Sequence, residues 1–513
     1  MSDPFVHLHV ASGYSLRHGA SHPHRLVERA AELGQDILGL TDRDGVYGAV
    51  RFAKACLQTG VRPVLGVDLA VEPSGLLPGA PPTSRTPRGP VRGPVRGPVR
   101  GPVRGGVFRD PELSRITVLA GGRRGWAALC RLLSATHLRG ERGTPVTTAD
   151  LVAEHVAGRD VVVLLGPASE VGRAVTARRD DLAAAVLHRW RCLIDPADLM
   201  VELVSHRVAG AGPGSTVHAA RMAGLAERAR LETVLTNAVR HTDPDDAAVL
   251  DVLDSARRLV PLDLRHLDRR NAEGFLKAGK QMAEVADEIC RAAGTGERAA
   301  GRLLARTRTT AERTALDPRA DLGLGEVHFP ELASPELATG ATDGTGSADT
   351  VLRDRCLAGL ARRYGTLPPD DERRAYDRLD DELRTIETLG YAAYFLTVAD
   401  VCDLIREIGV RVAARGSGAG SLANYALGIS GVDPLRHGLL MERFLSPLRQ
   451  ALPDIDIDVE SARREEVYTR ILARYGGERC CCVAMMDTYR IRHAVRDVGA
   501  ALGMPPYRVR IWV

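Results

Sequence analysis

Long apolar runs are missing from this chain. No stretch approaches the ~18 consecutive apolar residues of a membrane-spanning helix, so no helical span is read from it. Cysteine pairs of metal-binding spacing are missing as well. Nine cysteines are scattered without one C-x-x-C, apart from the triplet Cys480-Cys481-Cys482, which excludes a zinc ribbon. The opening Met1-Ser2-Asp3-Pro4 has no signal-peptide pattern, and a reducing cytoplasm is the expected location. Aromatic residues are scarce, at 4%, beside heavy use of Ala, Arg and Gly; this reads as coding bias and says little about function.

Bulk charge of one sign is missing too. The formal net charge is +4, but residues 85–109 hold seven arginines and no acid, so the remainder carries 4 − 7 = −3. Contact with nucleic acid must then come from local patches and not from a general positive field. Within that segment Arg-Gly-Pro-Val repeats four times over residues 88–103. Proline at every fourth position excludes helix and ladder pairing, and like charges repel. Residues 85–106 therefore read as an extended, solvated insertion that either brushes phosphate or is a repeat expansion without a role.

What is present starts with length: 513 residues and 44% apolar content leave room for several domains of ~100–200 residues. The first part alternates a strand over 5–10, a helix over 21–33, a strand over 36–41, a helix over 47–58 and a strand over 61–67, which predicts a layered or barrel-like α/β domain. His7 and His9 share one face of the first strand. With Thr41, Asp42 and Asp68 they fall at strand ends, where α/β folds place their sites. Two imidazoles so spaced can ligate a metal ion; two satisfied histidines are the plainer reading.

Residues 215–300 continue as helices and short strands, and the Gly/Ser/Thr-rich stretch 334–350 reads as a flexible connection. Helices are expected over 351–364, over 369–389 with Tyr376, Leu379, Leu383 and Ile386 on one apolar face, and over 394–408 with Val398, Val401, Ile405 and Ile408 aligned. A short strand over 410–412 then leads into Arg415-Gly416-Ser417-Gly418-Ala419-Gly420-Ser421 and a helix over 422–427. Glycines let a backbone approach an anion, a following helix N-terminus offers free N–H groups, and the Ser417 hydroxyl adds a donor. The lysine of a Walker A loop is absent. A tight structural turn is the alternative.

Pro453-Asp454-Ile455-Asp456-Ile457-Asp458 follows. A strand there puts Asp454, Asp456 and Asp458 on one face and Ile455, Ile457 and Val459 on the other. Three carboxylates on one face repel, and a packed strand would make them costly without a cation, which points to divalent metal. Arg443 and Arg449 lie between the two motifs. They are candidates to meet triphosphate charge, or ordinary helix-end arginines.

These motifs carry a family resemblance. Tyr394-Phe395-Leu396-Thr397-Val398, the 415–421 glycine run with Leu422, Asp433-Pro434-Leu435, Glu442-Arg443-Phe444-Leu445 and the aspartate run occur in this order. They resemble the palm of the bacterial DNA polymerase III alpha subunit (C-family). Asp487-Thr488-Tyr489-Arg490, Arg492-His493-Ala494-Val495-Arg496-Asp497-Val498-Gly499 and Thr41-Asp42-Arg43-Asp44-Gly45 resemble its error-prone subclass. Phe5-Val6-His7-Leu8-His9, the stretch from Leu40 to Gly48 and Pro63-Val64-Leu65-Gly66-Val67-Asp68 resemble the polymerase-and-histidinol-phosphatase (PHP) domain.

The resemblance implies an α/β multidomain protein: a PHP-like α/β barrel over 1–295, the first part of a nucleotidyltransferase-type palm with helical elements over 296–485, and the start of a thumb over 486–513. It implies DNA-directed DNA polymerisation of the error-prone, translesion kind by a two-metal mechanism with Mg²⁺. Asp454 and Asp456 match the catalytic, metal-holding pair, with Asp458 supporting the strand. Gly416 and Ser417, with Arg443, match the triphosphate contacts. The implied partners are primer–template DNA, deoxynucleoside triphosphates, and the sliding clamp with other mutagenesis or replisome proteins; no membrane is implied.

Against the metal-binding PHP pattern this chain departs. Arg43 stands for a histidine, His18 for an acid, Asp68 for a glutamate, and Asn237-Ala238-Val239-Arg240 for Asn-Asp-x-His. Arginine cannot ligate a metal and alanine has no donor. His7, His9 and Asp68 remain as a residual metal set, and a structural or interaction role is expected over phosphoesterase or 3′–5′ exonuclease activity. The family's third catalytic aspartate lies downstream of the last matched motif, and residues 507–513 do not look like its continuation. The expectation is a truncated chain of weak or no polymerase activity, with a non-catalytic remnant as the alternative.

Overall fold

The computed structural model describes residues 4–77, 113–139, 145–263, 267–296, 298–326, 328, 330, 347–365, 368–445, 453–476, 480, 483, 486 and 488–509. The Arg-Gly-Pro-Val repeat, most of the 334–350 connection, Arg449, Cys481, Cys482 and Asp487 lie outside them. The chain divides into two compact units, Met1–Gly325 with Met485–Val513, and Glu326–Ala484.

The first unit is built on six strands: β1 (Ile37–Arg43), β2 (Arg62–Val71), β3 (Ser114–Ala120), β4 (Val161–Leu165), β5 (Leu199–Val204) and β6 (Glu232–Thr236), adjacent in that order. β2 and β4 flank β3 antiparallel, and the other pairs run parallel. The N-terminal segment joins the two edges. His7 O and Val10 O accept from Gly39 N and Thr41 N on the β1 side, while Val239 N donates to His9 O and Ala11 N to Val239 O just beyond β6. The sheet thus closes on itself and removes its edges, as the expected barrel requires.

Near-continuous apolar runs such as Val161–Leu165 suit strands buried on both faces. Inside the ring Val6, Leu8, Ile37, Val64, Leu119, Val162, Leu164 and Val234 pack together, and helices cover the outside. The helix Ala299–Thr314 seals the barrel: Ala311 joins the inner cluster, Leu235 N donates to Thr307 Oγ1 at 2.9 Å, and Leu316 N donates to Pro63 O at 2.8 Å. That closure carries the unit past residue 295 to Gly325. The helix Ile491–Ala501, expected to begin a separate thumb, belongs to this unit as well. Arg17 donates to Tyr489 Oη and Asp497 Oδ2, and Leu262 N to Ala501 O.

The second unit packs the helices Ala348–Tyr364, Pro369–Thr388 and Ala392–Glu407 around Leu352, Leu360, Leu379, Ile386, Phe395 and Phe444. Beside them β7 (Val412–Arg415) pairs antiparallel with β8 (Asp456–Val459). On the helix Pro369–Thr388, Leu379, Leu383 and Ile386 are buried as expected. Tyr376 instead points outward, and Ala375 and Glu382 complete the buried stripe. Among the described residues no single helix is long and apolar enough to cross a membrane.

Candidate functional site

Two groups of carboxylates stand at strand ends, one in each unit. In the barrel, β1 and β2 pair so that Arg43 lies opposite Asp68. Arg115 from β3 donates from Nε to both Asp68 oxygens at 3.0 Å, and Arg43 Nε lies 3.3 Å from Oδ2. Arg115 also reaches Asp44 at 2.8 Å. Burial works to raise the Asp68 pKa, but Arg115, then Arg43 and His9, hold it below the ordinary carboxylate value. His9 Nδ1 sits 2.7 Å from Glu202 Oε1, which also accepts from Thr236 at 2.6 Å. Burial works to lower the His9 pKa, and the Glu202 carboxylate overrides it and raises it. His7 Nε2 bonds the Lys277 carbonyl at 2.8 Å. Asp42 accepts from Ser12 and Ser15; burial nonetheless raises its pKa.

The three residues of the residual metal set are therefore engaged by separate protein partners. Among the described residues, one trio of metal-competent side chains gathers: His18, Asp254 and Asp268, with ligand atoms within 4.8 Å of one another. Its acids are already compensated. Asp254 accepts from Arg240 at 2.6 Å and Arg257 at 3.0 Å, while Asp268 pairs with Arg257 and Arg258. His18 is held well below its usual pKa by burial and then by Arg43, Arg240 and Arg257. Guanidinium groups cannot ligate a metal, and their charge repels one. A PHP-type metal centre does not fit these residues.

In the second unit, β7 and β8 set Arg415 opposite Asp456 and Ala413 opposite Asp458. The expected alternation holds: Asp454, Asp456 and Asp458 are exposed, and Ile455, Ile457 and Val459 turn toward the cores. The side chains of Asp456 and Asp458 are 54% and 64% exposed, so the burial cost argued from sequence does not apply; their face is wet. Arg415 Nε lies 3.2 Å from Asp458 Oδ1 and 4.0 Å from Asp456 Oδ2. The Tyr394 hydroxyl accepts from Ile455 N at 3.1 Å, fixing the entry to β8.

The glycine run forms a 3₁₀ turn, Gly416–Gly420. Gly416 has φ +71°, and a side chain built there would meet Asp456 Oδ2 at 3.8 Å. At Gly420 a Cβ would lie 2.7 Å from Leu440 O, so only glycine lets the turn approach the segment that leads into Met441–Arg443 and its exposed Arg443. The helix that follows is short, Leu422–Ala426, and its first N–H groups are taken. Asn424 N donates to Ser421 Oγ at 3.2 Å and Ala423 N to Glu382 Oε2 at 3.0 Å. The free helix N-terminus read from sequence is thus filled by the protein itself. Sequence reasoning missed Glu382. Its signal was an acid in the middle of an apolar helical stripe, seven residues after Ala375 and next to Leu383.

Comparison with known proteins finds two separate family matches. Residues 7–206 match the PHP domain, and residues 350–513 match the bacterial DNA polymerase III alpha NTPase domain. The error-prone DNA polymerase of Mycobacterium bovis is 34% identical over 99% of this chain and 41% of its own length; that of Nocardia farcinica is 34% identical over 99% and 43%. Among solved structures, an amidohydrolase from Chromobacterium violaceum is similar over 46% of this chain and 87% of its own, at 15% identity and a TM-score of 0.29. The chain spans about two-fifths of the length of the curated relatives it matches. Its sequence is thus similar to the PHP domain over its N-terminal part, to the bacterial DNA polymerase III alpha NTPase domain over its C-terminal part, and to error-prone DNA polymerases over nearly all of its length.

Proposed function

We propose that this chain carries the triphosphate- and metal-binding portion of a DNA-directed DNA polymerase acting on primer–template DNA with deoxynucleoside triphosphates. The observation that carries this reading is the β7–β8 register. It sets Arg415 opposite Asp456, so the glycine turn leaves its strand beside the point where the acidic strand begins.

Asp454 and Asp456 offer hard, exposed oxygen ligands of the kind Mg²⁺ takes, while Asp458 is the acid nearer Arg415. When bound, Mg²⁺ neutralises triphosphate charge and lowers the pKa of an attacking 3′-hydroxyl. The N–H groups of Gly416 and Ser417, the Ser417 hydroxyl and the Arg443 guanidinium are the donors assigned to triphosphate oxygens. The barrel serves as a metal-independent scaffold. The sliding clamp and other mutagenesis or replisome proteins are partners of the same reading, in the cytoplasm.

Calorimetric titration of the chain with a Mg²⁺–deoxynucleoside triphosphate, alongside template-dependent primer extension, tests it. Asp456→Ala is expected to lower triphosphate affinity at least about tenfold, the loss of one charge-assisted contact, and His9→Ala to leave it unchanged. Equal affinity in Asp456→Ala and the unsubstituted chain would sink the reading.

A further inference from the structure

Glu382 is a carboxylate where an apolar side chain belongs. It sits on the buried stripe of the helix Pro369–Thr388, and its side chain is 3% exposed. A buried carboxylate is costly unless its oxygens are matched. Here both are. Oε1 accepts from Arg378 Nε at 3.1 Å, while Oε2 accepts from Ser421 Oγ and Ala423 N, each at 3.0 Å. Arg378 uses its other arm to donate to the Gly420 carbonyl at 2.8 Å. One helix turn therefore grips three points at the exit of the glycine turn, Gly420, Ser421 and Ala423. From inside, Asn424 Nδ2 donates to Gly418 O at 2.9 Å.

We propose that Glu382 and Arg378 are positioning residues for the triphosphate site. They act through the backbone of Gly420–Ala423 and fix the 3₁₀ conformation that presents Gly416 and Ser417 beside Asp456. The inference rests on the triphosphate reading of the glycine turn. Five of the seven residues in 415–421 are Gly or Ser, the types that lose most order when unrestrained, so the turn needs an external clamp to hold a pre-organised shape. The negative charge of Glu382 lies at the far end of the turn from Gly416 and is matched by Arg378. It fills the helix N-terminus and so directs an incoming anion to the Gly416–Ser417 end.

The test uses the full chain and two readouts: affinity for Mg²⁺–dATP, and amide exchange of peptides spanning 416–426. Glu382→Ala is expected to speed exchange across 420–424 and weaken Mg²⁺–dATP at least about tenfold, the scale of losing charge-assisted hydrogen bonds that hold a binding loop. Glu382→Gln keeps an acceptor for Ser421 and Ala423 and is expected to restore most of both. Arg378→Lys keeps the charge but cannot reach Glu382 and Gly420 together; it serves as the second variant should Glu382→Ala fail to fold, with the same direction of effect. Faster exchange with unchanged affinity in the variants would overturn the proposal and leave Glu382 a packing residue. Absence of Mg²⁺–dATP binding in the unsubstituted chain, matched by Asp456→Ala, would overturn it together with the triphosphate reading.

Discussion

The barrel and the palm each gather carboxylates, and they treat them in opposite ways. In the barrel, the Asp68 and Asp254 side chains are 8% and 0% exposed, and each is gripped by two arginines. In the palm, Asp456 and Asp458 stand more than half exposed beside one equally exposed Arg415. An acid that is buried and paired has its charge consumed by the fold; an acid on a wet face keeps it for a ligand. Arginines 43, 115, 240 and 257 hold these acids of the barrel unit in ion pairs. The energetics differ accordingly. Removing one partner of a buried pair strands the other, at about 3–5 kcal/mol, whereas an exposed pair contributes about 0–1 kcal/mol.

The sharpest way to break that contrast is at Asp254. Asp254→Ala takes the paired carboxylate from the nearly buried Arg240 and leaves Arg257 only Asp268, and is expected to destabilise the barrel unit by about 3–5 kcal/mol. Asp456→Ala should change stability by no more than about 0.5 kcal/mol. Denaturant melts followed by peptide-level hydrogen exchange separate the units. Equal costs at the two positions would erase the distinction.

A smaller effect tests the packing that backs the glycine turn beside the Glu382–Arg378 clamp. The helix Ala348–Tyr364 crosses Leu422–Ala426 so closely that a Cβ at Gly359 would lie 2.0 Å from Ala426 O, a backbone atom that cannot yield alone. Gly359→Ala should therefore cost about 1–3 kcal/mol, the range of overpacking, and displace the end of the glycine turn. Exchange should rise over 416–426 and stay level in the strands of the barrel. A fully silent Gly359→Ala would mean the two helices part easily and packing does not fix the turn.

The same contrast explains what could be read from sequence. Period-two alternation over 454–459 and the glycine run before it depend on neighbours in the chain, and the structure keeps both faces as read. The α/β order of residues 21–71 was legible for the same reason, since β1 and β2 each carry an apolar run beside an amphipathic helix. The partners of His7, His9 and Asp68 were not: Lys277, Glu202 and Arg115 lie 270, 193 and 47 positions away and meet them only when the sheet closes. Nor was the length of the barrel unit, because the sealing contacts of Ala299–Thr314 with Leu235 and Pro63 are long-range. The substitution of Arg43 for a histidine was visible; that Arg115 would complete its work on Asp68 needed the β2–β3 register.

The smallest expected effect is a pH dependence, and its sign separates the two sides of the barrel mouth. The His9 pKa is raised in the folded chain, so the His9–Glu202 pair contributes stability that is fully present below the unfolded histidine value of about 6.5 and is lost as pH rises through the higher folded value. Asp68 and Asp254 are depressed, with the opposite consequence: their contribution is present above the unfolded value of about 3.9 and is lost as pH falls through their lower folded values. The barrel unit should therefore lose stability at both extremes, through different residues. His9→Gln should flatten the slope on the alkaline side of about pH 6.5, and Asp68→Asn the slope on the acid side of about pH 4. Urea midpoints of the two variants across pH 3–8, set against the unsubstituted chain, measure both. If His9→Gln left the alkaline limb unchanged, the His9–Glu202 contact would not be the source of that slope.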